Sequence, residues 1–316
     1  MDHDLSNEYR ADISTTANQK LLPLFPALRF GRTIELDNAR MHFVDAGKGE
    51  PILCVHGNPT WSFYWRAVIE SFRNQCRVVA VDHVGCGLSD KPPRYNYCLE
   101  QHIENLCRLI DELDLKKITL FVHDWGGPIG VGAALRLPDR FRRIVLSNTA
   151  CFPPPFIPWR ILACRIPVLG TLLMRGANVF ARGATTMATT RQGGLVETAW
   201  RGLLAPYDNW HNRVGIDRFV FDIPLSRRHK TWEILEQIEN DLPKLSDKPC
   251  LMLWGMRDWC FRPECLRQLQ NILPLARTIE FAQAGHYLME DAPREVIAAL
   301  SAFMNLEASF VERPNP

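Results

Sequence analysis

The regular alternation of strand-like and helix-like segments constrains the fold of this chain more than any other feature of its sequence. Short apolar runs such as PILCVHG and ITLFVHD alternate with amphipathic segments such as LEQHIENLCRLIDELDL, whose apolar residues recur at helical spacing. This alternation predicts an α/β fold with a mostly parallel, eight-stranded sheet flanked by helices and joined by right-handed crossovers. RTIELD and RMHFVDAG flank Asp37 and Asn38 and predict a hairpin at the start of the sheet.

The alternation is interrupted after the sixth predicted strand, RIVLSNTA. The segment 151–228 is rich in Pro, contains Trp and has at most a helical pattern, and strand–helix alternation resumes after it. We therefore predict an N-terminal extension (1–27), a core (28–150 and 229–316) and an inserted helical cap (151–228). Because the sites of open α/β sheets lie at the carboxyl ends of the strands, this cap is expected to cover the site.

Composition and charge narrow the classes of function. The 316 residues carry a net charge of only +2, so the charge balance favours no nucleic-acid partner. Ten cysteines occur without C-x-x-C pairs or a metal-ligand spacing, which predicts reduced thiols and no metal. The polar N-terminus does not resemble a secretory signal, and no apolar run reaches the length of about 18 residues that could span a membrane. We therefore expect a cytoplasmic location.

The stretch LFVHDWGG ends a predicted strand with Asp124 followed by Trp125 and two glycines. Small neighbours are what a tight strand-to-helix turn needs if it is to expose one side chain, and a serine or cysteine nucleophile usually occupies that corner. The match is partial, because Val122 stands where the G-x-S-x-G pattern has its first glycine. An aspartate that caps the next helix is the alternative interpretation.

Asp258 and His286 complete a candidate catalytic triad with Asp124. Asp258 follows the predicted strand PCLMLWG, and His286 follows the last predicted strand. The order nucleophile, acid, histidine along the chain is that of α/β-hydrolases. The backbone N–H groups of Asn58 and Trp125 are candidates for an oxyanion hole, while the Asn58 amide and the Trp125 indole offer neutral hydrogen-bond donors. Two neutral donors beside a carboxylate suit a leaving group that departs as an anion.

A carboxylate nucleophile has a specific chemical advantage. It is already ionised at neutral pH, because the reference pKa of an aspartate is about 3.9. Asp124 could therefore displace an anionic leaving group from carbon directly and form an alkyl ester, with Asn58 and Trp125 holding that anion. His286, oriented by Asp258, would then activate the water that hydrolyses the ester. This scheme uses no cofactor.

The sequence resembles the haloalkane dehalogenase superfamily of α/β-hydrolases from about residue 28 to residue 305. The motifs that carry this resemblance are HGNPTWSFYWR, DHVGCGLSDKP, HDWGGPIG, WGMRDWCF and AGHYLMED. The resemblance implies Asp124 as nucleophile, His286 as base, Asp258 as acid, and Asn58 with Trp125 as the halide clamp. The sequence is similar in particular to the third subfamily, which merges with the olefin-forming β-lactone decarboxylases. This resemblance also implies a homo-oligomer and is compatible with partner proteins from the same pathway.

The motifs leave the reaction open. Hydrolysis of a hydrophobic haloalkane to alcohol and halide is the first interpretation, and cis-olefin formation from a β-lactone, with release of carbon dioxide, uses the same residues. An epoxide hydrolase is a further alternative, although such enzymes rely on two cap tyrosines and this cap contains only Tyr207. A relative that only binds its ligand would not need a triad.

The cap is strongly basic. From Arg140 to Val196 there are eight arginines and no Lys, Asp or Glu. Basic, apolar segments can lie on an anionic membrane surface or contact an acidic partner. We therefore consider self-assembly, docking to a protein that delivers substrate, and membrane-surface association. In the alternative interpretation these arginines cap helix ends within one subunit.

Overall fold

The computed structural model describes residues 21–306, so residues 1–20 of the predicted N-terminal extension lie outside the described part of the chain. Its strands are β1 (Gly31–Leu36), β2 (Ala39–Ala46), β3 (Pro51–Val55), β4 (Arg77–Val81), β5 (Ile118–Asp124), β6 (Phe141–Thr149), β7 (Cys250–Gly255) and β8 (Arg277–Phe281). They form a sheet of order β1-β2-β4-β3-β5-β6-β7-β8. Strand β2 is antiparallel to both of its neighbours, and all pairs from β4 to β8 are parallel. The predicted fold class and hairpin are confirmed.

Helices flank this sheet and form the segment between β6 and β7. Those before β6 are α1 (Arg66–Phe72), α2 (Leu99–Glu112) and α3 (Gly126–Arg136). Those between β6 and β7 are α4 (Trp159–Cys164), α5 (Leu169–Thr171), α6 (Val179–Met187), α7 (Glu197–Leu204), α8 (Val214–Asp222) and α9 (Lys230–Asp241). Those after β7 are α10 (Pro263–Ile272), α11 (Leu288–Asp291) and α12 (Pro293–Met304).

The core lies on both faces of the sheet. Every residue of β3, β5 and β7 is buried, as is typical of central parallel strands covered by helices on both sides. Alternate residues of β3 enter different clusters, Leu53 on one face and Ile52 on the other. Because strands β3 to β8 are all parallel, their carboxyl ends meet at one edge of this covered sheet.

The segment between β6 and α9 contains α4 to α8 and no strand. A small cluster formed by Ile161, Met174 and Val220 holds it together internally. The indole Nε1 of Trp61 in the core donates to the carbonyl oxygen of Gly202 at 3.0 Å, which ties this segment to the strand edge. Within residues 21–306, no helix is both long and apolar enough to cross a bilayer.

Candidate active site

Asp124 sits at a strained turn between β5 and α3. Its φ of 55° lies in the left-handed region, which is uncommon for a residue other than glycine. The glycines after it permit close backbone contacts: a Cβ on Gly126 would lie 2.1 Å from the carbonyl oxygen of Val55, and one on Gly127 would lie 1.8 Å from Oγ1 of Thr149. The turn therefore presents the aspartate at the strand edge, as the glycine pair predicts.

The two carboxylate oxygens of Asp124 have different surroundings. Oδ1 accepts hydrogen bonds from the backbone N–H groups of Asn58 at 2.9 Å and Trp125 at 2.5 Å. Oδ2 lies 3.3 Å from Nε2 of His286. The predicted pair of backbone donors thus holds one oxygen in place, and the other oxygen remains available for chemistry.

His286 bridges two carboxylates. Its Nδ1 lies 2.9 Å from Oδ2 of Asp258, which is buried. The second oxygen of Asp258 accepts a hydrogen bond from the backbone N–H of Cys260 at 2.7 Å. The ring of Phe261 stacks on the imidazole with centroids 5.7 Å apart. The structure therefore brings together the three residues of the predicted triad, in the geometry of a hydrogen-bonded relay.

The electrostatics of this arrangement favour a protonated His286 beside an ionised Asp124. Burial opposes the protonation of His286, but the charge of Asp258, the hydrogen bonds to Asp124 and Asp258 and the charge of Asp124 raise its pKa from 6.5 to about 10. Burial would raise the pKa of Asp124, but the hydrogen bond and charge of His286 outweigh it, so this pKa lies below its usual 3.8. At neutral pH the resting site holds an imidazolium beside an ionised Asp124.

Asn148 is a site residue to which the sequence analysis gave no role. It is the residue before the end of β6 and has a φ of 36°, and its Nδ2 donates to Oδ2 of Asp258 at 2.9 Å. Its amide also bonds both the N–H and the carbonyl of Gly255. Asn148 thus fixes the acid of the triad to the neighbouring strand end. A polar residue at a strand end was the only available signal.

The side chains of Asn58 and Trp125 line the same cavity as Asp124 and His286. One N–H of the Asn58 amide donates to the carbonyl oxygen of Ile216 in α8 at 3.2 Å, which leaves the second N–H for a ligand. Among the described residues, the indole N–H of Trp125 has no hydrogen-bond partner. These are the two neutral donors that the sequence predicted.

A cavity of about 420 Å³ lies above Asp124 and is enclosed by the segment between β6 and α9. Its walls are mostly aliphatic and aromatic, including Phe152, Ile161, Leu173 and Val220. Binding sites for small molecules typically combine such apolar walls with a few polar groups. The site therefore accommodates a hydrophobic molecule, whose reacting carbon would face the Asp124 carboxylate.

Other polar residues at the strand ends have structural partners. Buried Asp82 accepts hydrogen bonds from Nδ1 of His42 at 2.7 Å and from the backbone N–H of Ser62 at 2.6 Å. The hydroxyl of Tyr207 donates to the carbonyl oxygen of Thr60 at 3.2 Å, and Tyr207 does not line the cavity. Residues 21–306 contain no cluster of three or more His, Cys, Asp or Glu side chains that could hold a metal ion.

Comparisons with known proteins agree with this geometry. Residues 50–293 match the family model described as the alpha/beta hydrolase fold. The chain is 39% identical to a cis-3-alkyl-4-alkyloxetan-2-one decarboxylase of Shewanella oneidensis, with 88% of this chain and 89% of that protein covered. It is 32% identical to haloalkane dehalogenase 2 of Mycobacterium tuberculosis, with 85% and 93% covered. A crystal structure of a haloalkane dehalogenase from Agrobacterium tumefaciens superposes with a TM-score of 0.79 at 25% identity, covering 87% and 96%.

Proposed function

We propose a function from the premise that this chain belongs to the α/β-hydrolase family. Its Asp124 attacks a saturated carbon of a hydrophobic substrate, and that substrate is a cis-dialkyl β-lactone, which the enzyme converts to a cis-alkene and carbon dioxide. The observation that carries this proposal is the Asp124 carboxylate below an apolar cavity, with the neutral donors of Asn58 and Trp125 lining the same cavity. The 39% identity to a decarboxylase of this substrate class supports the same choice.

The proposed reaction balances without water. Oδ2 of Asp124 bonds to the saturated ring carbon that carries the ring oxygen, and the bond between these two ring atoms breaks so that its electron pair stays on the oxygen and forms a free carboxylate. The Asn58 amide and the Trp125 indole donate hydrogen bonds to this carboxylate. The C–CO₂ bond then breaks, its electrons form the double bond, and Asp124 departs as a carboxylate. Inversion followed by anti elimination gives the cis alkene from the cis lactone.

His286 serves this reaction as a cation. No step needs a general base, so a histidine with a pKa of about 10 is in the right state at neutral pH. Its imidazolium lies 3.3 Å from the attacking carboxylate and stabilises that carboxylate again when it departs. Asp258 holds the ring through Nδ1.

Hydrolytic dehalogenation is the second candidate, because the same donors suit a halide and a haloalkane dehalogenase is 32% identical to this chain. Asp124 displaces the halide, and His286 then takes a proton from the water that hydrolyses the ester. An epoxide hydrolase reading has less support, because Tyr207 in the cap lies away from the cavity. The ten cysteines are free thiols, which supports a reducing, cytoplasmic setting for either reaction.

Replacement of His286 distinguishes the two candidates. With a 1-bromoalkane, His286→Phe is expected to release one equivalent of halide and to slow further turnover by about 100-fold or more, because general base catalysis is lost. An alkyl ester on Asp124 would then add its mass to the intact protein. With a cis-dialkyl β-lactone, the same variant should continue to turn over and form alkene.

Asp124→Asn is the control, and it should abolish both halide release and alkene formation. Wild-type protein that releases halide but forms no alkene from any chain length would contradict the decarboxylase proposal. A lactone-derived ester that accumulates on Asp124 in His286→Phe would contradict the water-independent collapse.

A further inference from the structure

Large exposed apolar side chains are concentrated on one part of this protein. Of the fourteen within residues 21–306, thirteen lie between Trp159 and Leu225, and Leu275 is the remaining one. Nine of them fall in a continuous stretch of the chain and are exposed by 39% to 74%. We call these nine the cap face: Trp159, Leu162, Ile166, Val168, Leu169, Leu172, Leu173, Val179 and Met187. A cluster of this kind on a protein surface usually marks an interaction site.

The cap face surrounds the entrance to the cavity. Trp159, Leu173, Val179 and Met187 belong to the cap face, and the same four residues line the cavity above Asp124. A side chain that is both exposed and cavity-lining lies at the rim. The apolar surface therefore continues from the outside of the protein into the cavity, and the exposed Arg160 lies at the same rim.

Positive charge accompanies the cap face. Arg160 and Arg182 are exposed and form no ion pair with any acid in the described part of the chain. Arg182 lies on α6 three residues after Val179, which places these two side chains on one side of the helix. The guanidinium of Arg160 lies 5.1 Å from the ring centroid of Trp159. The stretch 140–196 contains no acidic residue.

Two other arginines of the cap have internal roles. Arg165 donates hydrogen bonds to the carbonyl oxygens of Val220 and Ile223 at the end of α8. Arg175 donates to the carbonyl oxygen of Trp210 at 3.1 Å. The interpretation that arginines cap helix ends within one subunit therefore holds for Arg165, and Arg175 also has an internal partner. Arg160 and Arg182 remain available to a partner.

We propose that the cap face docks on the surface of a lipid bilayer that contains anionic phospholipids. Apolar side chains flanked by arginines match the interface of such a bilayer, where the chains enter the acyl boundary and the guanidinium groups meet phosphates. A second copy of the chain fits less well, because a symmetric contact would oppose the same arginines without an acid to balance them. That the bilayer supplies lactone and receives alkene rests on the proposed function, whereas docking itself does not.

Vesicle sedimentation of the full chain tests the docking. Wild-type protein should sediment with phosphatidylcholine vesicles that contain phosphatidylglycerol, and less with pure phosphatidylcholine vesicles. The double variant Leu169→Asp/Leu172→Asp, whose residues do not line the cavity, should bind the anionic vesicles at least about tenfold more weakly. Arg182→Glu should weaken binding by about fivefold or more and reduce its salt dependence.

Leu275→Asp is the matched control, because Leu275 is 88% exposed and lies outside the cap. This variant should bind vesicles like the wild type. Equal binding of wild type and Leu169→Asp/Leu172→Asp overturns the proposal, as does equal binding to neutral and anionic vesicles. A change of oligomer size in that double variant, with no lipid binding by the wild type, would instead assign the face to self-association. Wild-type protein that binds the vesicles but forms no alkene would contradict the proposed function and leave the docking proposal intact.

Discussion

His286 is the residue whose charge decides what Asp124 can do. In the resting site it is held between two carboxylates, and its raised pKa of about 10 depends partly on the charge and hydrogen bond of Asp124. Ester formation at Asp124 removes that charge and weakens that hydrogen bond. The pKa of His286 must then fall, which frees the imidazole to act as a base only after the first step. One arrangement of residues thus supports a water-independent collapse and, with another substrate, hydrolysis.

The same pKa predicts how stability depends on pH. A histidine whose pKa rises from 6.5 to about 10 on folding stabilises the folded state fully below pH 6.5, and this contribution is lost as the pH rises through 10. The free energy of unfolding should fall by about 4 kcal/mol more in wild type than in His286→Phe between these limits. Urea unfolding of both proteins at several pH values measures this difference, and parallel profiles would refute it.

At the scale of residues, the sequence predicts site residues that are defined by their position at the end of a strand. It does not predict residues whose role depends on a contact with another part of the chain. Asp124 ends a strand and Asp258 and His286 each follow one. Because the carboxyl ends of parallel strands share one edge, their proximity in the structure could be anticipated. The role of Asn148 could not be anticipated, because it arises from the 2.9 Å contact between its amide and Asp258, which lies in the loop after the next strand. A local pattern contains no information about which neighbour an amide will contact.

At the scale of elements, the cap is fixed to the core by close packing at α7. A Cβ on Gly202 would lie 2.1 Å from the ring of Phe63. That ring is buried and stacks on Trp61 at 5.7 Å, so it has little room to move. The helix therefore approaches the core as closely as a glycine permits, and this approach positions the roof of the cavity.

Gly202→Ala is accordingly expected to destabilise the protein by about 1–3 kcal/mol, since overpacking displaces a buried ring. The control is Gly176→Ala, where the new Cβ would meet only Trp210 at 3.9 Å. Urea unfolding should separate the two variants. Equal stability of both would show that α7 is free to shift away from the core.

Elements differ in how far the sequence defines them. Strands such as β5 are recognisable because central parallel strands are continuous apolar runs, and α2 is recognisable by its amphipathic period. The helices of the cap carry exposed apolar side chains such as Leu162 and Leu169, so their pattern does not distinguish a buried from an exposed face. Their presence could be predicted, but their boundaries depend on packing over the strand edge.

At the scale of the whole molecule, the core and the cap contribute different parts of the site. The core supplies Asp124, Asp258 and His286 on rigid strand ends, whereas the cap supplies most of the apolar wall. Chemistry and substrate size are therefore set by different parts of the chain. A change in the cap wall should alter the preferred chain length without changing the reaction.

Ala184 offers a test of this division, because it lies on α6 and lines the cavity. Ala184→Phe should fill part of the 420 Å³ and lower kcat/KM for long-chain relative to short-chain substrates by about tenfold or more. Ala177→Phe is the matched control, since Ala177 is exposed and does not line the cavity. Competition between two chain lengths in one reaction measures the ratio directly. An unchanged ratio in Ala184→Phe would mean that the substrate chains do not pass beside α6, and an equal loss for both lengths would mean that the cap wall acts on the reacting centre itself.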